Sequence, residues 1–151
     1  LVEIEALVAP SSLASPRRNV VGWDSSRLAM LTAVLEARCG VPLSGRDIFL
    51  NVAGGLKISE TAADLAVAAA LISSVTGRPA PARTVFFGEV ALSAELRQVA
   101  QAEARLKESA KLGFENAILP RPRKKIHAPG GISLSQPATL ADLIDMMGGI
   151  A

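Results

Sequence analysis

The chain has 151 residues, of which 50% are hydrophobic and 20% are charged. This length and composition predict one globular domain that buries its own core, and they argue against a disordered protein. The 16 basic and 14 acidic residues give a formal net charge of +2. Because this balance is nearly even, any contact with nucleic acid has to come from local clusters of basic residues.

The scarcity of cysteine and histidine limits the chemistry of the chain. Cys39 is the only cysteine and His127 the only histidine, so an intrachain disulfide and a zinc site of cysteines and histidines are both excluded. No apolar run approaches the roughly 20 residues that cross a bilayer. We therefore expect a cytoplasmic protein without membrane contact. The chain begins without methionine and enters a strand-like segment at once, so we expect it to be a piece of a longer protein.

The first third of the chain contains signals for strands and one helix. Apolar and acidic residues alternate over residues 2–5, which predicts a strand with one buried face. Residues 10–19 are rich in turn-forming types. A helix follows, which Asp24 or Ser25 can cap and Gly40 can end.

The middle of the chain is more apolar. Residues 47–52 predict a second buried strand, and residues 56–58 predict a short strand after a glycine turn. Residues 61–75 are nearly all alanine, leucine, isoleucine and valine, which predicts a buried central helix. Thr61 and Asp64 have the spacing of a capping box at its start.

The last third returns to alternating elements. Residues 84–90, 95–99 and 116–119 predict strands, and residues 101–112 predict a helix. A final helix places four apolar residues on one face: Leu140, Leu143, Ile144 and Met147. Strands alternate with helices, so the sequence predicts a single α/β or mixed α+β domain over residues 1–151.

Several sequence strings in succession resemble one known family. The strings Thr76-Gly77-Arg78-Pro79, Gly88-Glu89-Val90-Ala91-Leu92 and residues 113–120 are similar to strings of the Lon-type protease fold. The amino-acid sequence of residues 15–18, 51–58, 60–66 and 88–97 resembles that of the Lon-protease-like C-terminal domain of the RadA (Sms) family of bacterial DNA-repair proteins. The resemblance runs over nearly the whole chain and implies a Lon-like domain with βαβ units.

The resemblance also implies that the peptidase chemistry is lost. Lon-type peptidases use a serine at the start of the central helix and a lysine after the later strand pair. Counting without gaps puts Ala62 at the serine position and Glu103 near the lysine position. A methyl group cannot attack a carbonyl, and a carboxylate cannot act as the amine base. We therefore expect no catalytic residues and a proteolytically degenerate domain. One enzymatic alternative stays open: a Ser-Lys peptidase that uses Ser59 and Lys57, because residues two apart on a strand point to one face.

Basic residues are the candidate contacts for DNA. Guanidinium groups bind phosphate oxygens in pairs of hydrogen bonds, and the densest basic cluster lies in a loop broken by prolines. Only 3% of residues are aromatic and there is no tyrosine, so contacts to the DNA backbone are favoured over base stacking. The candidate residues are Arg17, Arg18, Arg27, Arg121, Arg123, Lys124 and Lys125.

Proteins of this family carry an N-terminal zinc finger and a RecA-like ATPase core, and they assemble as hexameric rings that act in recombination. The resemblance thus implies that zinc, ATP and magnesium belong to a part of the protein outside this chain, which has no phosphate-loop motif. The resulting prediction is a non-catalytic DNA-binding and ring-assembly domain of a DNA-dependent ATPase in DNA repair. An oligomerisation scaffold without DNA contact is the other alternative.

Overall fold

The computed structural model describes residues 1–150, which form eight strands and four helices. The fold is mixed α/β, as the alternation of strands and helices predicts. The elements are β1 (Ile4–Pro10), β2 (Arg18–Val21), α1 (Ser25–Cys39), β3 (Arg46–Val52), α2 (Asp64–Thr76), β4 (Thr84–Phe86), β5 (Glu89–Val90), β6 (Leu96–Arg97), α3 (Ala102–Lys111), β7 (Asn116–Ile118), β8 (Ser133–Ser135) and α4 (Leu140–Met146).

The first sheet has the strand order β1-β3-β2. β1 pairs with β3 antiparallel, with Ile4 opposite Val52, whereas β2 pairs with β3 parallel. The connection from β2 through α1 to β3 is therefore a βαβ unit. Ile48, Leu50 and Val52 of β3 are buried, because alternate residues of the strand face the helices.

Helix α1 begins and ends at the residues that the sequence indicates. The Asp24 side chain caps the helix and accepts a hydrogen bond from the backbone amide of Ser26 at 2.8 Å. Gly40 ends it in the left-handed conformation, with φ of 68°, which glycine adopts without steric cost. The predicted apolar face is buried through Leu28, Leu31 and Leu35.

Helix α2 is the central helix and packs on β1, β4, β5, α1 and α4. Leu65, Val67, Ala68, Leu71 and Ile72 of this helix are fully buried. Small alanine side chains along α2 allow the neighbouring strands to approach it closely. The predicted helix is confirmed as an element, with a short 3₁₀ turn over Thr61–Ala63 in front of it.

The predicted capping box at the start of α2 is wrong. No side chain caps the helix. Asp64 lies inside the first turn and is 0% exposed. Its carboxylate accepts hydrogen bonds from Arg27 of α1 and from the backbone amide of Val90 instead. The Asp64 carboxylate bonds Arg27 on α1 and does not cap its own helix, because a buried carboxylate needs a charged partner in place of water.

The second sheet has the strand order β4-β7-β8, and all its pairs are parallel. The strand predicted over residues 84–90 is split into β4 and β5: the Phe87 amide still donates to Ile118 of β7, but the Gly88 amide donates to the Ala62 carbonyl instead. A side chain at Gly88 would lie 2.7 Å from Pro120 Cδ, so the chain turns here in close contact with a proline. β5 continues into an antiparallel pair with β6.

Three short segments differ from the sequence prediction. β2 lies partly in residues that were expected to form turns, and β8 was not predicted at all. Residues 56–58 form no strand. These segments are too short for a periodic signal, and their structure depends on pairing with distant strands.

The two remaining helices follow the sequence prediction. α3 ends before Gly113, and its buried face is carried by Leu106 and Ser109. α4 begins at a capping box in which Thr139 and Asp142 bond each other's backbone amides. In the part of the chain that the structure describes, no helix has the length and apolar character of a membrane span.

Candidate nucleic-acid-binding surface

Ala62 lies at the head of α2, in the 3₁₀ turn. It is 5% exposed, and its carbonyl oxygen accepts a hydrogen bond of 2.9 Å from the Gly88 amide. The Gly88 carbonyl in turn accepts a bond of 3.1 Å from the Leu65 amide. The two bonds fix the head of the helix against the segment between β4 and β5. The side chain that this position presents is a methyl group.

Glu103 lies in the first turn of α3 and is exposed. One of its carboxylate oxygens accepts a hydrogen bond of 3.2 Å from the backbone amide of His127. This contact fastens the segment between β7 and β8 to helix α3. The carboxylate thus has a structural partner at a position where the family resemblance would put a lysine.

Lys57 and Ser59 are both exposed and lie in a segment without regular structure. The premise that placed them on one face of a strand is not met, because residues 56–58 are not a strand. The backbone amide of Ile58, between them, donates a hydrogen bond of 2.8 Å to the Gly22 carbonyl. This bond holds the segment beside α1 and leaves both side chains in solvent.

Arg17 is held by a buried carboxylate. Asp47, 3% exposed, accepts a 2.6 Å hydrogen bond from the Arg17 backbone amide and a 3.1 Å bond from its guanidinium. The hydrogen bond from the Arg17 backbone amide is the main reason why the pKa of Asp47 lies below its usual range. The Arg17 guanidinium also lies over the Phe49 ring, 5.7 Å from its centre. Arg18 donates to the backbone carbonyls of Arg46 and Leu43.

Arg27 is the most strongly engaged of the predicted basic residues. Its Nε donates to Asp64 at 2.7 Å and its Nη2 donates to the other oxygen of the same carboxylate. Glu89 adds a second anion at 4.0 Å. The hydrogen bonds to Asp64 raise the pKa of Arg27, and its side chain is 21% exposed. This guanidinium joins α1, α2 and β5 more than it faces solvent.

Four predicted residues share a single loop between β7 and β8: Arg121, Arg123, Lys124 and Lys125. All four side chains are exposed. No ion pair involves them within residues 1–150. We call this segment the basic loop. Its backbone is attached at two points, through the bond from Gln98 to the Arg121 carbonyl at 3.2 Å and through the bond from His127 to Glu103.

A small cavity of about 340 Å³ lies under the basic loop. Apolar side chains line it, among them Phe87 and Leu119, together with Arg123 and Lys124. Pro120 is buried beside Gly88, and the half-buried Ile126 packs on an apolar cluster that includes Phe87, Leu106 and Leu119. The four charges are therefore presented from a fixed base.

No three acidic, histidine or cysteine side chains among the described residues come together as a metal site.

One contact was not foreseen from the sequence. Arg105 of α3 forms an ion pair with Glu60 at 2.8 Å and lies over the Phe87 ring, 5.9 Å from its centre. The pair joins the segment before α2 to α3 across 45 positions of sequence. Arg105 belongs to none of the strings that carry the family resemblance, and only the helical spacing of α3 could have indicated which side of the helix it occupies.

Known proteins show clear similarity to this chain. Residues 24–123 match the family described as subunit ChlI of Mg-chelatase. The chain is 55% identical over 144 residues to the DNA repair protein RadA of Brucella abortus, an alignment that covers 95% of the chain and 31% of that protein. It is 52% identical over 127 residues to the protein of the same name from Rickettsia bellii, covering 84% of the chain and 28% of that protein.

A third relative, the DNA repair protein RadA of Pseudomonas aeruginosa, is 47% identical over 147 residues, which is 97% of the chain and 32% of that protein. The chain thus spans about a third of the length of these curated relatives. The resemblance that the sequence strings indicated is confirmed.

Proposed function

We propose a function from one premise: this chain belongs to the family described as subunit ChlI of Mg-chelatase. Relatives named DNA repair protein RadA match nearly the whole of it at 47% to 55% identity. The chain accordingly serves in DNA repair, as a domain that binds the DNA backbone and assembles side by side into a ring. The observation that carries the DNA contact is the basic loop, whose four cations are exposed and have no anionic partner in the described chain.

The loop is a better candidate for DNA contact than the other predicted basic residues, because its cations have no anionic partner in the described chain. A guanidinium that already has a buried carboxylate as its partner must leave it to bind a phosphate, and breaking such a pair is costly. For that reason Arg27 is left out of the proposed contact set. Arg17 remains partly exposed, at 58% of its side chain, and with Arg18 forms a second, weaker candidate. The Coulomb attraction of four unpaired cations is mainly to phosphates and is independent of base sequence.

The domain acts without peptidase chemistry in this proposal. Ala62 supplies no hydroxyl at the head of α2, and Lys57 and Ser59 lie exposed outside any strand. In the longer protein we expect a DNA-dependent ATPase in the cytoplasm, which forms a hexamer. Its ATP, magnesium and zinc would be bound outside this chain.

The DNA contact is tested by neutralising the basic loop. A variant of the full chain with Arg121, Arg123, Lys124 and Lys125 changed to alanine should bind duplex DNA more weakly at every sequence. The slope of log affinity against log salt concentration should become shallower by about 3 to 4, because each lost phosphate contact removes about 0.9. Fluorescence anisotropy with a labelled duplex over a salt series measures both quantities.

The matched control removes the same charge elsewhere. Arg38, Lys57, Lys107 and Lys111 are exposed and lie outside the loop, so their combined change to alanine should alter the slope far less. Equal losses in both variants would show that only bulk charge matters. An unchanged slope in the loop variant would favour a scaffold that assembles without touching DNA.

The absence of peptidase activity is tested with a fluorophosphonate probe, which labels activated serines. We expect no labelling of the chain above that of the Ser59→Ala variant, because an exposed serine without a base is a poor nucleophile. An active serine hydrolase in the same reaction controls for the probe. Labelling that disappears in Ser59→Ala and in Lys57→Ala would establish the peptidase alternative.

A further inference from the structure

A second, larger cavity lies along α2, and none of the four basic-loop residues lines it. It has a volume of about 1080 Å³ and is open to solvent. Its floor is the alanine-rich face of α2, including Ala66 and Ala70, together with Ala62 of the preceding 3₁₀ turn. β1 and α3 stand on its sides, together with β4. We call this cavity the α2 groove.

One side of the α2 groove is the free edge of a sheet. Among the described residues, β1 has β3 as its only neighbour in the sheet. The bond from the Ala53 amide to the Glu3 carbonyl shows that odd-numbered residues of β1 face β3, so the backbone groups of Ile4 and Ala6 point the other way. The outward amide of Val8 confirms this alternation, since it donates to Ser74 Oγ of α2 at 2.9 Å.

The other side of the groove has a second free edge. In the part of the chain that the structure describes, β4 has β7 as its only neighbour in the sheet. Phe87 donates to Ile118 and Asn116 donates to Arg83, so the odd-numbered residues of this segment face β7, and Thr84 and Phe86 point outward. Within residues 1–150, no hydrogen bond uses the outward backbone groups of Ile4, Ala6, Thr84 or Phe86. All four residues line the same groove.

The charge of the groove is opposite to that of the chain. Four glutamates line it, against one arginine. The arginine is Arg105, which Glu60 already neutralises at 2.8 Å. Glu3, Glu5 and Glu108 are exposed and have no cationic partner in the described chain. A basic segment therefore fits the groove, whereas DNA is repelled by it.

We propose that the α2 groove binds an extended basic peptide segment of a partner protein, which adds a strand to the free edge of β1. The outward amides and carbonyls of Ile4 and Ala6 supply the main-chain hydrogen bonds, as in other cases of strand addition. The alanine floor lets the added backbone lie close to α2, and the glutamates select lysine or arginine side chains. The groove thus offers a place for a peptide beside the start of α2, where Ala62 supplies no hydroxyl.

The probe for this proposal is a fluorescein-labelled peptide of alternating lysine and valine, added to the full chain and followed by fluorescence anisotropy. It should bind, and its counterpart with glutamate in place of lysine should not. Two further peptides carry N-methyl groups on every lysine or on every valine. Because only alternate amides of an added strand face β1, one N-methyl peptide should lose about tenfold or more in affinity and the other should bind normally.

Protein variants locate the site. Glu3→Gln with Glu108→Gln should weaken binding of the lysine peptide by about threefold to tenfold, since each exposed ion pair contributes little. Glu95→Gln with Asp145→Asn removes the same charge outside the groove and should have no effect. Ala70→Phe, which fills the groove, should abolish binding. Circular dichroism checks that the Ala70→Phe protein remains folded. If it does not, the double variant of Glu3 and Glu108, compared with its control, tests the site.

Several outcomes would overturn the proposal. These are equal binding of the glutamate peptide, equal behaviour of both N-methyl peptides, or no binding of any peptide. A change of oligomeric state in Ala70→Phe, seen by analytical ultracentrifugation, would identify a second copy of this chain as the occupant and would likewise refute a partner peptide. The basic-loop variant should bind the lysine peptide normally, so failure of the DNA proposal and failure of this one are distinguishable.

Discussion

Replacing Asp64 by alanine should lower the free energy of unfolding by about 3–5 kcal/mol, the cost typical of breaking a buried ion pair. The change leaves Arg27 without its carboxylate, and it leaves the Val90 amide, which donates to Asp64 at 2.9 Å, without an acceptor. Asp64 is 0% exposed, so water cannot replace it. Urea unfolding followed by circular dichroism measures the loss.

The matched control for this experiment is Asp145→Ala. Asp145 is an exposed helical aspartate on α4, and its removal should change stability by no more than about 0.5 kcal/mol. The double variant Arg27→Met with Asp64→Leu should recover part of the loss, because apolar side chains of similar volume satisfy a buried site without desolvation cost. If Asp64→Ala proved as stable as the control, the ion pair would have no role in the fold.

Gly22→Ala should be destabilising by about 3 kcal/mol, which combines about 1–2 kcal/mol for a left-handed backbone with about 1–3 kcal/mol for overlap. Gly22 has φ of +88°. A Cβ there would press against the carbonyl oxygen of Leu56 and lie 2.8 Å from Val52 Cβ. Thermal and urea unfolding of the two proteins gives the difference.

Gly45→Ala separates the two contributions. Gly45 has φ of +72°, similar to that of Gly22, but nothing lies within 4 Å of its added Cβ. This variant should therefore lose only the backbone contribution, about 1–2 kcal/mol. If both variants lost the same amount, close packing at Gly22 would be refuted as the larger cause.

The parts of the fold that could be predicted are those with a local signal. Helix α1 follows from Asp24, its apolar spacing and Gly40, and α2 from its long apolar run. β2 could not be predicted, because its residues pair with β3 across an intervening helix. The division between β4 and β5 depends on the contact of Gly88 with Pro120, which are distant in sequence.

The candidate site was predicted in the same uneven way. The basic loop is visible in the sequence as a run of cations among prolines, and the structure leaves those cations exposed. Arg27 looks no different from them in sequence, yet its partner Asp64 lies 37 positions away. The α2 groove could not be predicted, since it arises from two strand edges that belong to different sheets.

The antiparallel pairing of β1 with β3 has a consequence for how quickly the protein folds. The segment that contains β2 and α1 separates the two strands in sequence, so a long loop must close before their contacts form. Long-range pairings of this kind slow folding. The unit from β2 through α1 to β3 has the shorter span and should form first. Until β1 joins it, the central strand of the sheet has one open edge, and newly made chains are then most exposed to association with each other.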